Sequence, residues 1–264
     1  MMEVLIAYSG RSLVRPRYYA NAHDKDAVEI APVAMPIRDA RGRGTSLDVE
    51  GFELVRDPSA VTDFADRAQV MAVHVPEIAA LIKDLTGASR VEVTGAGLLR
   101  FSERSGRAGS LDNSMPARFA HIDVSPATAL TMSQRLAAGR PHTRVAQYNI
   151  WRALSAPPQD VPLALCDARS LAAEDCIAAD AIFDPPGGAP EWSFESYVIA
   201  ANPAHRWHWF SDLTADEAIV FKTFDSDSRR ATHVPHVAFD MPGCPADAPP
   251  RVSIEMRATA FWEA

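Results

Sequence analysis

The sequence predicts a mainly β chain with flanking helices, a sandwich or barrel rather than a doubly wound sheet. Several short apolar runs recur at roughly ten-residue spacing in the second half, as strands of such folds do. Turns rich in Pro and Gly separate these runs. No Gly-rich phosphate loop of the GxGxxG or GxxxxGK type is present, which argues against a nucleotide enzyme.

Taken in order, the first third reads as strands plus one helical region. "EVLIAY" (3–8), "AVEIAPVAM" (27–35) and "GFELV" (51–55) alternate or cluster apolar residues between Gly, Asp and Pro. Residues 59–87 have helical spacing, with a break expected at Pro76 and a stop at Gly87. "RVEVTGAGLLRFSE" (90–103) returns to strand. "ARFAHIDVS" is a strand running into a helix over 125–139, which opens on a capping Ser and a Pro and closes on Gly139. "TRVAQYNIWRAL" (143–154) is strand-like, and 162–183 reads as a short strand followed by a helix. Five strands complete the chain, over 193–203, 205–213, 217–226, 233–240 and 251–262.

No repeat or linker divides the sequence, so residues 1–264 are expected to form one domain. Formal charge is −8, from 34 acidic and 26 basic residues, which argues against the basic face of a nucleic-acid binder. The longest mostly apolar stretch (70–82) is too short and too interrupted to span a bilayer. The start "MMEVLIAYSG" lacks the basic-then-apolar pattern of a signal peptide, so a cytoplasmic protein without membrane partner is expected. Cys166, Cys176 and Cys244 are odd in number and widely spaced, which suits neither a zinc site nor a disulfide framework.

"RFAHIDVSPA" (118–127) places His121 and Asp123 two positions apart in an apolar run. Residues two apart on a strand share a face, so both can reach one ion. The competing account is a histidine held by its neighbouring aspartate. Two His and one carboxylate on one face of an octahedron hold non-haem Fe(II) and leave open positions. A second histidine is available downstream as His233 or His236, followed by Arg251-Val-Ser253 at the start of the last strand. Arg251 and Ser253 share a face, and a guanidinium fork with a hydroxyl suits the distal carboxylate of 2-oxoglutarate. Arg257 lies on that face too and competes, while pairing of Arg251 with Glu255 is the bland alternative. Lys222, among apolar neighbours, either snorkels or points toward a ligand. His205, Trp207 and Trp209 alternate with Arg206 and His208, so one of these faces packs the core or walls a substrate.

"HID", "YNIWRAL", "PLALCDARS", "HRWHWFSDLTADEAIVFKTFDSDS", "PHVAFD" and "PPRVSIEMRATAF" resemble, in this order, blocks of a non-haem iron oxygenase-like family. The family groups fungal gibberellin desaturase and secondary-metabolite hydroxylase/desaturases with the bacterial cephem 7α-methoxylase accessory component. The resemblance covers roughly 118–264. It implies a double-stranded β-helix (jelly-roll, cupin-like) core at 116–264, with residues 1–115 flanking it and a helical insertion near 165–190. It also implies Fe(II), with 2-oxoglutarate and O2 as co-substrates, and hydroxylation, desaturation or cyclisation of a small molecule in secondary metabolism.

Carried over by position, the metal ligands are His121, Asp123 and His236, the last preferred to His233 because it stands in "PHVAFD". Arg251 with Ser253 takes the far carboxylate of 2-oxoglutarate, Arg257 being the alternative anchor. Tyr148 and Asn149 are candidates for its near carboxylate. Two other functions fit the resemblance, a non-catalytic accessory subunit and a cupin-like metal enzyme that does not use 2-oxoglutarate.

Overall fold

The computed structural model describes residues 1–187 and 189–263; Gly188, within the segment 165–190, and Ala264 lie outside the described residues. The N-terminal part contributes six strands: β1 (Met2–Ser9), β2 (Arg17–Tyr19), β3 (Ile30–Asp39), β4 (Phe52–Arg56), β5 (Arg90–Val93) and β6 (Leu98–Phe101). Between β4 and β5, the Asp66 carboxylate accepts from the amides of Ala68 and Gln69 and starts a helical region. The chain then passes through a π-helical turn at Val70–His74 into helix α1 (Val75–Thr86). Pro76 therefore does not break the helix as expected. The Val75 amide bonds back to the Val70 carbonyl, five residues away, and this wider turn accommodates the ring and missing amide of Pro76. Gly87 ends the helix at φ 67°, as its position predicts.

The remaining strands are β7 (His121–Ile122), β8 (Arg144–Ala153), β9 (Leu163–Cys166), β10 (Cys176–Phe183), β11 (Trp192–Ile199), β12 (Trp207–Trp209), β13 (Glu217–Asp225), β14 (His236–Ala238) and β15 (Val252–Trp262). Helix α2 (Pro126–Ala137) follows β7, with the Ser125 hydroxyl accepting from the Thr128 amide and Pro126 at its first position.

A nine-stranded sheet runs β1-β3-β12-β9-β14-β7-β11-β10-β2, and a six-stranded one runs β4-β13-β8-β15-β5 with β6 also on β15. Strands of 1–115 thus extend both sheets. The two faces of the six-stranded sheet follow the period-two pattern. Tyr148, Ile150, Ile254, Met256 and Ala258 pack with Ile78 and Ile82 of α1. Trp151, Ala153, Ile219 and Phe221 face the other way, against Leu163 and Leu165 of β9. The interior between the sheets is where the polar residues of β8 and β15 converge. Among the described residues no helix is long and apolar enough to cross a membrane.

Two expectations need correction here. The helix expected within 162–183, and with it the helical insertion near 165–190, is absent from the described part. Two short 3-10 turns at Ala168–Ser170 and Ala173–Asp175 lead into β10, which pairs along its whole length with β11. Its alanines favour a helix locally, but Ala178 and Ala181 sit opposite Tyr197 and Phe194, where small side chains admit the rings, and strand pairing overrides propensity. Lys222 neither snorkels nor enters the interior between the sheets. It is fully buried beside Tyr148's register position, with Nζ 2.7 Å from Asp225 and 3.0 Å from Asp48.

Asp225 accepts from Arg144 at 2.5 Å as well, and its carboxylate is entirely buried. Burial alone would raise its pKa, but the Arg144 and Lys222 hydrogen bonds bring it below the usual carboxylate value. A depressed folded pKa gives stability present above the unfolded value, about 4, and lost as pH falls through the folded one. Asp225→Asn should therefore destabilise by about 3 kcal/mol or more at neutral pH in urea unfolding, with Lys222 and Arg144 left only the half-exposed Asp48 as a counter-charge. The deficit relative to the native chain should narrow as pH drops below about 4; a deficit independent of pH would contradict this pairing.

Candidate metal centre

Strands β7 and β14 are adjacent and antiparallel in the nine-stranded sheet, and His121 is the register partner of His236. Directly opposed residues place their side chains on one face, so the two rings lie 4.2 Å apart between centroids. Asp123 follows one residue beyond β7, and by strand parity returns to the face of His121. Candidate ligand atoms of His121, Asp123 and His236 all lie within 4.8 Å of one another.

The hydrogen bonds around this trio fix its chemistry. Nδ1 of His121 lies 2.9 Å from the Phe119 carbonyl, and Nδ1 of His236 lies 3.2 Å from that of Val234. A carbonyl only accepts, so both rings carry their proton on Nδ1. Burial first, then the neighbouring His236, pushes the His121 pKa down, which favours its neutral form. The Nε2 lone pairs then face Asp123 Oδ1, at 3.3 Å from His121 and 3.4 Å from His236. Three acceptors meet with no donor among them. Such a set is stable only around a cation, so these residues fit a divalent metal ion.

The second carboxylate oxygen is held from the facing sheet. Asn149 on β8 donates to Asp123 Oδ2 at 2.9 Å, and Arg257 on β15 lies 3.2 Å from it. Asn149 and Arg257 are themselves register partners. Burial would raise the Asp123 carboxyl, but the Arg257 charge and the histidine contacts hold it well below the usual carboxylate range. Arg257 is also bound by Glu255 at 3.0 Å. Phe119 and Phe221 pack on the outer sides of the two imidazoles, with centroids 5.5 Å and 4.7 Å away.

Arg251 is placed differently. It is 1% exposed, donates from Nη1 to the Val161 carbonyl at 2.7 Å, and among the described residues pairs with no carboxylate through its side chain. Its Nε and the Ser253 hydroxyl, both buried, have no hydrogen-bond partner among the described residues. Burial, then the charges of Arg100 and Arg118, drag the Arg251 guanidinium down to about 9. A narrow cavity joins Arg251 to His121 and His236, with Trp151 and Arg100 in its wall. A buried, unsatisfied guanidinium and hydroxyl near a metal site fit a small carboxylate ligand.

Of the other residues singled out in the sequence, Asn149 joins the trio but Tyr148 does not. Tyr148 belongs to the opposite face of β8, with Ile78 and Ile82, away from the metal site. His233 contacts the Thr232 hydroxyl instead of the trio. Trp207 and His205 pack the core, bonded respectively to Tyr8 and to Asp175 and Tyr8, so they wall no site. Arg100 and Phe221 border the site without having been marked as site residues. The signal for Arg100 is its place on a strand that crosses Ser253 in the finished sheet, a pairing no local pattern encodes.

Two larger cavities open before the trio, of about 250 Å³ and 320 Å³, and both are bordered by Asp123, Phe194 and Arg257. A family model described as an oxidoreductase/YMDC permease-like domain matches residues 9–261. The hydroxylase/desaturase efuI of Hormonema carpetanum is 33% identical over 237 residues, covering 83% of this chain and 79% of its own. The α-ketoglutarate-dependent dioxygenase phiK, from a fungal species, is 32% identical over 241 residues, covering 87% of this chain and 84% of its own. A solved structure of the iron and α-ketoglutarate-dependent endoperoxidase NvfI superposes with a TM-score of 0.83 at 24% identity, covering 100% of this chain and 98% of that one. That likeness shows the fold, a jelly roll. By its near full-length matches the chain belongs to the oxidoreductase family that holds these hydroxylase/desaturases and α-ketoglutarate-dependent dioxygenases.

Proposed function

We propose that this chain is an Fe(II)- and 2-oxoglutarate-dependent dioxygenase that hydroxylates, desaturates or cyclises a small molecule of secondary metabolism. The observation that carries this reading is the meeting of two Nδ1-protonated imidazoles and one carboxylate oxygen at a single point between the sheets. When bound there, Fe(II) with 2-oxoglutarate and O2 supplies the oxidation of a substrate C–H bond, with succinate and carbon dioxide released.

The chain's own residues supply placement. The Phe119 and Val234 carbonyls fix the tautomer and aim of His121 and His236, so neither Nε2 needs reorganisation to ligate. Asn149 and Arg257 occupy Asp123 Oδ2, which leaves Oδ1 as a single ligand oxygen and keeps an open face for co-substrates. Arg251 and Ser253 take the far carboxylate of 2-oxoglutarate, Arg257 being already engaged by Asp123 and Glu255. Apolar walls on the two front cavities limit water at the reacting centre. The accessory-subunit and cupin-like readings are less well supported, because both leave the paired orphan groups at Arg251 and Ser253 without purpose. The acidic balance, formal charge −8, suits a cytoplasmic small-molecule enzyme more than a nucleic-acid or membrane binder.

Anaerobic addition of Fe(II) and 2-oxoglutarate should give the visible charge-transfer band of the chelate, and titration of that band gives the co-substrate affinity. Arg251→Ala should weaken this affinity by roughly tenfold or more, the usual effect of losing a buried charge-assisted pair. An unchanged affinity would move the anchor elsewhere. Asn149→Ala should lower Fe(II) affinity about 10–100-fold while the fold persists, as loss of a ligand's hydrogen-bond partner does. His236→Ala should abolish succinate release, and a variant still turning over would remove His236 from the ligand set.

A further inference from the structure

The smaller front cavity carries one cation with no acidic partner among the described residues; Asp26, the acid in its wall besides Asp123, lies 3.5 Å from His23 Nδ1. Its walls include the rings of Tyr18, Phe119, Phe183 and Phe194, and three guanidinium groups border it. Arg257 is bound by Asp123 and Glu255, and Arg118 by Glu103 and Asp240. Arg100 has no ion pair among the described residues. Its Nη1 donates to the Asn113 carbonyl at 3.2 Å, the Asn113 side chain at 3.1 Å and the Met115 carbonyl at 2.7 Å. Neutral oxygens fix the direction of a guanidinium but leave its charge whole.

The position of Arg100 says which anion would meet it. It stands on β6 directly opposite Ser253 and borders both the narrow cavity of Arg251 and the front cavity. Asn113 and Met115, which hold its Nη1, border only the front one of these two. One carboxylate of 2-oxoglutarate goes to the metal and the other to Arg251 and Ser253, so the co-substrate leaves no anion for Arg100. We propose that Arg100 is the specificity-determining residue for substrate, binding a carboxylate on an otherwise apolar, ring-bearing small molecule in the front cavity. The proposal rests on the oxygenase reading and adds to it the charge class of the substrate. The aromatic walls receive the apolar body, and the carboxylate end sets which carbon faces the metal.

The test uses 3-(2-naphthyl)propanoate and its neutral primary amide as probes, titrated calorimetrically into protein loaded with Fe(II) and 2-oxoglutarate under nitrogen. The acid should bind roughly tenfold more tightly than the amide, as one charge-assisted pair gives. Arg100→Gln should cut that preference to less than about twofold while leaving amide binding unchanged. Arg100→Lys, which keeps the charge, should restore part of it. Equal affinity of native protein for the two probes, or no binding of the acid, overturns the proposal. So does an Arg100→Gln variant that loses 2-oxoglutarate affinity and keeps the acid preference, since Arg100 would then serve the co-substrate. Absence of the charge-transfer band in native protein would instead sink the oxygenase reading, and the acid-amide comparison on the metal-free chain would still decide the role of Arg100.

Discussion

Three hydrogen-bond acceptors aimed at one another inside a protein are unfavourable unless something positive lies between them. His121, His236 and Asp123 are arranged in this way, and the arrangement is built in. Backbone carbonyls take both Nδ1 protons, so neither ring can turn a donor toward the carboxylate without losing a bond. The far oxygen of Asp123 is held by two donors from the facing sheet. Much of the remaining architecture follows from the need to hold this point open between two sheets.

The six-stranded sheet divides the labour by side-chain parity. Along β15, Ile254, Met256 and Ala258 join the layer under α1, while Ser253, Glu255 and Arg257, with Arg251 just before the strand, lie toward the interior. On β8, Tyr148 and Ile150 join the first set, and Asn149 and Trp151 the second. One face supplies apolar burial and the other supplies ligand chemistry. The interior face is expensive in unpaired polar groups, and the apolar layer against the helix offsets it. Acid–base networks follow the same division: Lys222, Asp225 and Arg144 stabilise the outer side and never meet the metal site.

How much of this was readable depended on the range of the interactions involved. Parity alone placed His121 with Asp123 and Arg251 with Ser253, because period two is a local property of a strand. Resemblance singled out His236, and its pairing across from His121 supplies the geometric reason. Parity could not choose between Arg251 and Arg257, which share a face; what separates them is Asp123, brought onto Arg257 from far along the chain to join the neighbouring Glu255, while no acid among the described residues pairs with the Arg251 side chain. The same limit explains Tyr148, whose face is set by α1, and the alanine-rich stretch at 176–183, whose strand state is imposed by β11. Pro76 was misread for a different reason: a π-helical turn is a local adjustment that a 3.6-residue template does not include.

The most direct test of the central claim is a crystal structure of the protein soaked with Fe(II) under nitrogen, with anomalous diffraction recorded at the iron edge. A single peak within bonding distance of His121 Nε2, His236 Nε2 and one oxygen of Asp123, with both Nδ1 contacts retained, is the predicted result. Iron bound elsewhere, or the two rings turned so that Nε2 no longer faces Asp123, would contradict it.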